Sequence, residues 1–128
     1  MKKKTAIKWI DRSLVASPCY IGLCLNKKDF KAEMKRLRVS VSDEWIPKDK
    51  QGRVHFFISK NGKKTAIVCI RRNGKPVEIV GLLIHEAVHI WQNIKEDINE
   101  NHPSSEFEAY SIQAIAQRLI DAAGGRKE

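Results

Sequence analysis

The most constraining feature of the sequence is the uninterrupted stretch PVEIVGLLIHEAVHIWQNIKED, residues 76–97. Gly81 is its one helix-weakening residue, and Pro76 suits the first turn of a helix. The stretch therefore predicts a single long helix. Apolar residues lie on nearly every side of this helix between positions 79 and 91, which predicts that it is central and buried.

The remaining chain predicts a small sheet and two further helices. Segments rich in strand-forming residues lie at 19–25, 53–59 and 64–72, and Asn61-Gly62 between the last two indicates a hairpin. Helical spacing recurs at 27–37, after a capping Asn26, and from Ser104 or Ser105 to Gly124-Gly125. We expect one α+β domain over residues 1–128, with a small, mainly antiparallel sheet packed on the 76–97 helix and on the helix that follows it.

The long helix contains His85-Glu86-Ala87-Val88-His89, the pattern H-E-x-x-H. Positions i and i+4 share one face of a helix, so His85 and His89 can ligate the same metal ion. Glu86 is displaced around the helix and can reach a metal-bound water as general base. Because the pattern fixes only three positions, the alternative is that two histidines and a glutamate occur together on a buried helix by chance. Zn²⁺ is the metal that this ligand pattern favours.

A catalytic zinc site commonly has three protein ligands. The next helix offers two carboxylates, Glu106 and Glu108. Glu106 could instead interact with the helix dipole or orient a metal ligand. Glu108 could instead form a capping box with Ser105.

The spacing His85-Glu86-x-x-His89-x18-Glu108, followed by Ala109, resembles the gluzincin metallopeptidases, and the chain length is similar to that of their minimal soluble members. The resemblance covers about residues 76–123, and the hairpin before them is similar to the zincin sheet. It implies His85, His89 and Glu108 as zinc ligands and Glu86 as catalytic base. The aspartate that thermolysin-like enzymes place four residues after the ligand glutamate is Ile112 here, so Glu106, Gln113 or a backbone carbonyl must orient a histidine instead.

The expected function is therefore that of a zinc-dependent peptidase acting within peptide or protein substrates. Tyr110, His102 and Tyr20 are candidates for stabilising an oxyanion. The strand at 64–72 could border the cleft and pair with an extended substrate. The alternatives are a nucleic-acid-associated or regulatory protein whose zinc is structural or vestigial.

Charge and cysteine content bear on partners and compartment. Residues 1–75 carry a formal charge of +14 and residues 76–128 carry −5. The basic half could attract nucleic acid, but its lysines are scattered and no nucleic-acid-binding motif accompanies them, so nucleic acid is not predicted as a partner. No stretch is long and apolar enough for a membrane span, and Asp11 and Arg12 interrupt the apolar N-terminal stretch. Three cysteines without C-x-x-C spacing predict buried, reduced thiols and a cytoplasmic protein.

Overall fold

The computed structural model describes residues 5–10, 19–40, 44–60 and 62–124. In chain order the elements are β1 (Lys8–Trp9), β2 (Cys19–Cys24), α1 (Lys27–Arg36), β3 (Gly52–Ile58), β4 (Lys64–Ile70), α2 (Pro76–Asp97) and α3 (Ser105–Ala123). The fold is α+β, as the sequence predicts. Asp11, Arg12, Asn61 and Gly125, to which the sequence analysis assigned roles, lie outside the described residues.

The sheet is mixed, with the strand order β1-β2-β4-β3. Strand β1 pairs antiparallel with β2, and β3 pairs antiparallel with β4. Between these pairs, β2 and β4 are parallel, with Cys19 opposite Lys64 and Cys24 opposite Cys69. The predicted sheet was mainly antiparallel, and the structure corrects this for the two central strands, β2 and β4, which are parallel. The connection from β2 to β4 contains α1 and β3. Strand β3 begins near the level at which β2 ends and runs back along the sheet, so that β4 starts level with β2.

Helices cover both faces of the sheet. Helices α2 and α3 cover one face, where Ile21, Leu23 and Val68 pack against Leu83 and Leu119. Helix α1 covers the other face, where Phe30 and Met34 pack with Cys24, Ile67 and Cys69. Because side chains alternate along a strand, each of the two central strands contributes to both cores.

Helix α2 buries one side rather than its whole circumference. Leu83, Ala87, Ile90 and Ile94 point into the core, whereas Ile84 is 43% exposed. Both histidines of the motif are also on the exposed side. The expectation of all-round burial is therefore wrong, because the sheet and α3 together cover only part of this helix.

The predicted helix ends are largely confirmed by the capping contacts. The side chain of Asn26 accepts a hydrogen bond of 2.8 Å from the Asp29 amide at the start of α1. Pro76 opens α2, and Asn99 follows it in the left-handed conformation, with φ of 60°. At α3 the cap is Ser104, whose hydroxyl accepts from the Phe107 amide at 3.2 Å.

The three cysteines are buried and free, as the sequence predicts. No helix in the described part of the chain is long and apolar enough to cross a membrane.

Candidate metal centre

Helix α2 brings the imidazoles of His85 and His89 together on its exposed side. The Nε2 atoms of the two rings are 3.2 Å apart. The ring centroids lie 4.7 Å apart and the ring planes are at 82°. The pairing follows from the i,i+4 spacing, which stacks the two side chains one turn apart.

This separation matches a shared metal ion. Two nitrogens bound to one tetrahedral zinc at 2.0–2.1 Å stand about 3.3 Å apart. Both histidine side chains are exposed, so an ion can reach them without unfolding the helix. The donor set of two neutral imidazoles is one that zinc commonly takes.

Glu86 is the buried member of the motif, with an exposed fraction of 4%. Its carboxylate makes no hydrogen bond or ion pair within the part of the chain that the structure describes. Burial raises the pKa of Glu86, while the neighbouring His85 and His89 act to lower it. A buried carboxylate of this kind is costly unless a ligand, water or metal-bound group pairs with it.

Gly52, the first residue of β3, lies against the carboxylate of Glu86. A Cβ atom added at Gly52 would lie 2.8 Å from Oε2 of Glu86 and 3.3 Å from the Ile70 side chain. Any larger residue here would displace Glu86, so the missing side chain is what makes room for the carboxylate. Gly52 cannot be identified from the sequence, because its proximity to Glu86 depends on long-range packing.

Arg71 fixes the loop that leads to Gly52. Its guanidinium donates to the carbonyls of Ile46 at 3.1 Å and Lys50 at 3.1 Å. It also lies 5.3 Å from the centre of the Trp45 ring. These contacts tie the loop before β3 to the residue that follows β4.

Gln92 is the partner of the second histidine. Its Oε1 lies 3.1 Å from Nδ1 of His89, which leaves Nε2 directed toward His85. A hydrogen bond at Nδ1 selects the tautomer whose Nε2 can ligate a metal. Glu106 and Gln113, which the sequence analysis considered for this role, are exposed on α3. Gln92 could have been found from its i,i+3 spacing to His89.

The structure does not bring Glu108 to the histidine pair. Its Oε2 accepts hydrogen bonds from Trp91 Nε1 at 2.8 Å and from Lys95 Nζ at 3.3 Å. The hydrogen bond from Trp91, together with Lys95, lowers the pKa of Glu108. Within residues 5–10, 19–40, 44–60 and 62–124, no three His, Cys, Asp or Glu side chains gather as a metal-binding group.

The capping alternative for Glu108 is excluded. Because Ser104 caps α3, the third helical residue is Phe107, and Glu108 stands one position beyond the capping-box site. Its contacts with Trp91 and Lys95 instead join α3 to α2. Its role as third zinc ligand stays a prediction.

The three candidates for oxyanion stabilisation lie in different places. Tyr110 is 64% exposed on α3. His102 is exposed in the loop between α2 and α3. Tyr20 alternates along β2 with Cys19 and Ile21, which face α2, so Tyr20 lies on the opposite face of the sheet and away from the motif.

Two cavities flank the motif, between α2 on one side and β3 with the loop before it on the other. The first has a volume of about 770 Å³, and its lining includes His85, Glu86, Gly52 and Lys50. The second, of about 370 Å³, lies farther along α2 and is bordered by Val54 and Phe56 of β3. Among the described strands β3 is at the edge of the sheet and β4 is internal. The strand that borders the cleft is therefore β3, and not the 64–72 strand considered from the sequence.

No family model matches the chain, and comparisons with characterised proteins and with solved structures return no match. The chemistry available to the site is therefore inferred from its own side chains.

Proposed function

We propose that the chain is a zinc-dependent peptidase that cuts within peptide or protein chains. The observation that carries this proposal is the convergence of two imidazole nitrogens, 3.2 Å apart, beside a buried carboxylate without a protein partner. Zinc-binding histidines with an adjacent glutamate base are the minimal machinery for hydrolysing an amide.

In this proposal His85 and His89 hold the metal, and Gln92 keeps His89 in the ligating tautomer. Glu108 is proposed as the third ligand, which requires its carboxylate to leave Trp91 and Lys95. Zinc, when bound, supplies a Lewis acid that polarises a carbonyl and lowers the pKa of water to about 7.

Glu86 performs the proton transfers. Its carboxylate accepts a proton from the attacking water and then delivers it to the nitrogen of the leaving amine. Burial raises the pKa of Glu86, which favours the uptake of a proton by this carboxylate. Gly52 leaves the space that Glu86 needs to face the reacting atoms.

The substrate is proposed to lie along β3 in extended form. Strand β3 is at the edge of the sheet among the described strands, and the motif helix packs beside it. Addition of a strand to an exposed edge gives affinity through the backbone and specificity through side-chain pockets. The cavities on either side of Glu86 are where side chains flanking the scissile bond would sit.

The test is hydrolysis of a denatured protein by the zinc-loaded chain, with products identified by mass spectrometry. We expect cleavage that stops on chelation and in Glu86→Gln, while Glu86→Gln still binds zinc. Glu106→Gln, on an exposed position of α3, is the matched control and should cleave normally. A chain that binds zinc but never cleaves, or a Glu86→Gln variant as active as wild type, contradicts the proposed reaction or the proposed base.

A second candidate function is nucleic-acid association, with zinc in a structural role. Lys27, Lys31 and Lys35 form one exposed row of α1 and line a groove of about 760 Å³ that also includes Lys48. This groove lies on the opposite face of the sheet from the motif. A salt-dependent affinity for a DNA or RNA oligonucleotide that falls in a Lys27→Glu, Lys31→Glu, Lys35→Glu variant would support it. Absence of binding at low salt would exclude it.

A further inference from the structure

The smaller cavity beside the motif has walls of different character. Val54 and Phe56 of β3 form an apolar wall, and Phe56 is 37% exposed. Gln92, Asn93 and Glu96 form a polar wall on α2. The volume is about 370 Å³, and the cavity begins at the Glu86 and His89 side chains. A side chain next to a scissile bond would enter this space.

The Asn93 side chain lines this cavity and carries a hydrogen-bond acceptor that has no partner among the described residues. Its Oδ1 atom is buried and has no hydrogen-bond partner in the described structure. An unpaired buried amide oxygen costs roughly 1–3 kcal/mol, so a ligand that brings an N–H group gains by pairing with it.

Glu96 adds a negative charge to the same wall. Its side chain is exposed, and no cation pairs with it among the described residues. The two nearest lysine pairs involve other carboxylates: Lys95 binds Glu108 at 3.3 Å, and Lys64 binds Asp97 at 3.2 Å. The carboxylate of Glu96 therefore remains available to a ligand.

These features together match one class of side chain. An apolar wall suits an alkyl stem, while an amide oxygen and a carboxylate suit a group that only donates hydrogen bonds and carries positive charge. An aliphatic side chain would leave Asn93 unpaired, and an acidic side chain would be repelled by Glu96. We propose that this cavity is a subsite for a basic side chain, arginine above lysine, of a peptide bound at the motif. The inference rests on the proposed peptidase function and names the class of substrate that the site selects.

Arginine is favoured over lysine by donor number. Its guanidinium offers five N–H groups in a fixed plane, which suit the Glu96 carboxylate together with the Asn93 oxygen once the Asn93 amide turns toward the cavity. The lysine ammonium is a compact, strongly hydrated group that would have to give up more of its water to reach both.

The binding test does not depend on catalysis. N-acetyl-arginine amide and its neutral isostere N-acetyl-citrulline amide are titrated into the ¹⁵N-labelled, zinc-loaded chain. Binding is followed through the Asn93 side-chain amide and the Phe56 backbone amide. We expect the arginine probe to bind at least about threefold more tightly, the range for a partly exposed charge pair. In Glu96→Gln the ratio of affinities should fall to about one, whereas Glu106→Gln should keep it.

A second variant separates the amide oxygen from the charge. Asn93→Leu has a similar volume but no acceptor, and it should weaken both probes while retaining part of the charge preference. Equal affinities of the two probes for wild type, or a preference that survives in Glu96→Gln, would overturn the assignment. Chemical-shift changes that affect neither Asn93 nor Phe56 on addition of the arginine probe would also overturn it.

A cleavage experiment then distinguishes the subsite from the reaction. A degenerate peptide mixture is digested by zinc-loaded wild type and by Glu96→Lys. Basic residues enriched at one fixed position from the cut bond, with the enrichment reversed toward acidic residues in Glu96→Lys, support the subsite. Cleavage without basic enrichment refutes the subsite and leaves the peptidase intact. Glu96-dependent binding of the arginine probe without any cleavage supports the subsite and refutes the peptidase.

Discussion

Gly52 and Glu86 are in such close contact that a methyl group at Gly52 fits only if the Glu86 carboxylate moves. The position of a Cβ atom at Gly52 is 2.8 Å from Oε2 of Glu86, closer than non-bonded carbon and oxygen atoms normally approach. The edge strand therefore sets where the proposed catalytic base can sit.

Gly52→Ala is expected to displace Glu86 without removing a metal ligand. Such a misplacement lowers kcat/KM by about 10- to 100-fold, while zinc binding by His85 and His89 persists. Peptide hydrolysis and zinc titration of the same sample measure the two effects. Gly81→Ala in α2 is the control, since an added Cβ meets nothing within 4 Å, and it should raise the free energy of unfolding by up to about 1 kcal/mol. Full activity in Gly52→Ala would show that the contact is unimportant.

Glu108 provides a test of the third ligand through its present partner, Trp91. If the carboxylate moves to zinc, the indole N–H of Trp91 loses an acceptor that now lies 2.8 Å away. We expect the Trp91 indole signal in a ¹H–¹⁵N spectrum to shift on zinc addition, and Glu108→Gln to bind zinc more weakly. Glu106→Gln should behave as wild type. A Trp91 signal that stays fixed while the histidine signals move would exclude Glu108 as a ligand.

Gln92 is expected to act on zinc only through His89. Gln92→Ala frees the Nδ1 atom and allows the other tautomer, so zinc affinity should fall by about 10- to 100-fold, the usual loss for a group that orients a ligand. Competition with a fluorescent chelator measures this. Gln113→Ala, an exposed glutamine on α3, is the matched control. Equal zinc affinity in Gln92→Ala and wild type would argue that His89 needs no such support.

Glu33 links the start of the described chain to α1. Its carboxylate accepts from the Ala6 amide at 2.7 Å, the Thr5 hydroxyl at 2.8 Å, the Trp9 indole at 3.1 Å and the Arg36 guanidinium at 3.0 Å. Burial acts to raise the pKa of Glu33, but the hydrogen bonds from Arg36, Ala6 and Thr5 outweigh it and lower the pKa. A carboxylate with a lowered folded pKa stabilises the protein above its unfolded pKa, and this contribution is lost as pH falls through the folded value.

Glu33→Gln should therefore remove part of the acid sensitivity of the fold. We expect this substitution to lower the free energy of unfolding near pH 7 by about 1–3 kcal/mol. Below about pH 4.3 the free energy of unfolding of the variant should fall less than that of wild type. Urea denaturation at several pH values measures both effects, with the exposed Glu44→Gln as control. Parallel stability curves for wild type and Glu33→Gln would contradict this role.

Local sequence signals located most of the fold. The helices predicted at 27–37 and 76–97 are Lys27–Arg36 and Pro76–Asp97, because caps and periodicity act within a few residues. The strand order was not predictable in this way. The parallel pairing of β2 with β4 joins segments about 45 residues apart, and no local pattern encodes that partner.

The same division holds at the site. The pairing of His85 with His89 follows from helical geometry alone, so the sequence was sufficient. The placement of Gly52 beside Glu86, and of Val54 and Phe56 opposite Asn93, depends on how the sheet edge packs on α2. The contact of Glu108 with Trp91 depends on the angle between α2 and α3, which spacing along the chain does not define.

Zinc titration against a competing chelator tests whether His85 and His89 form a zinc site. We expect one zinc per chain in wild type and in Glu86→Gln. We expect His85→Ala and His89→Ala to lose more zinc affinity than the roughly 100-fold typical of residues that only orient a ligand, and His102→Ala to lose none. A wild-type chain that binds no zinc, or histidine variants that bind it as tightly as wild type, would contradict the claim.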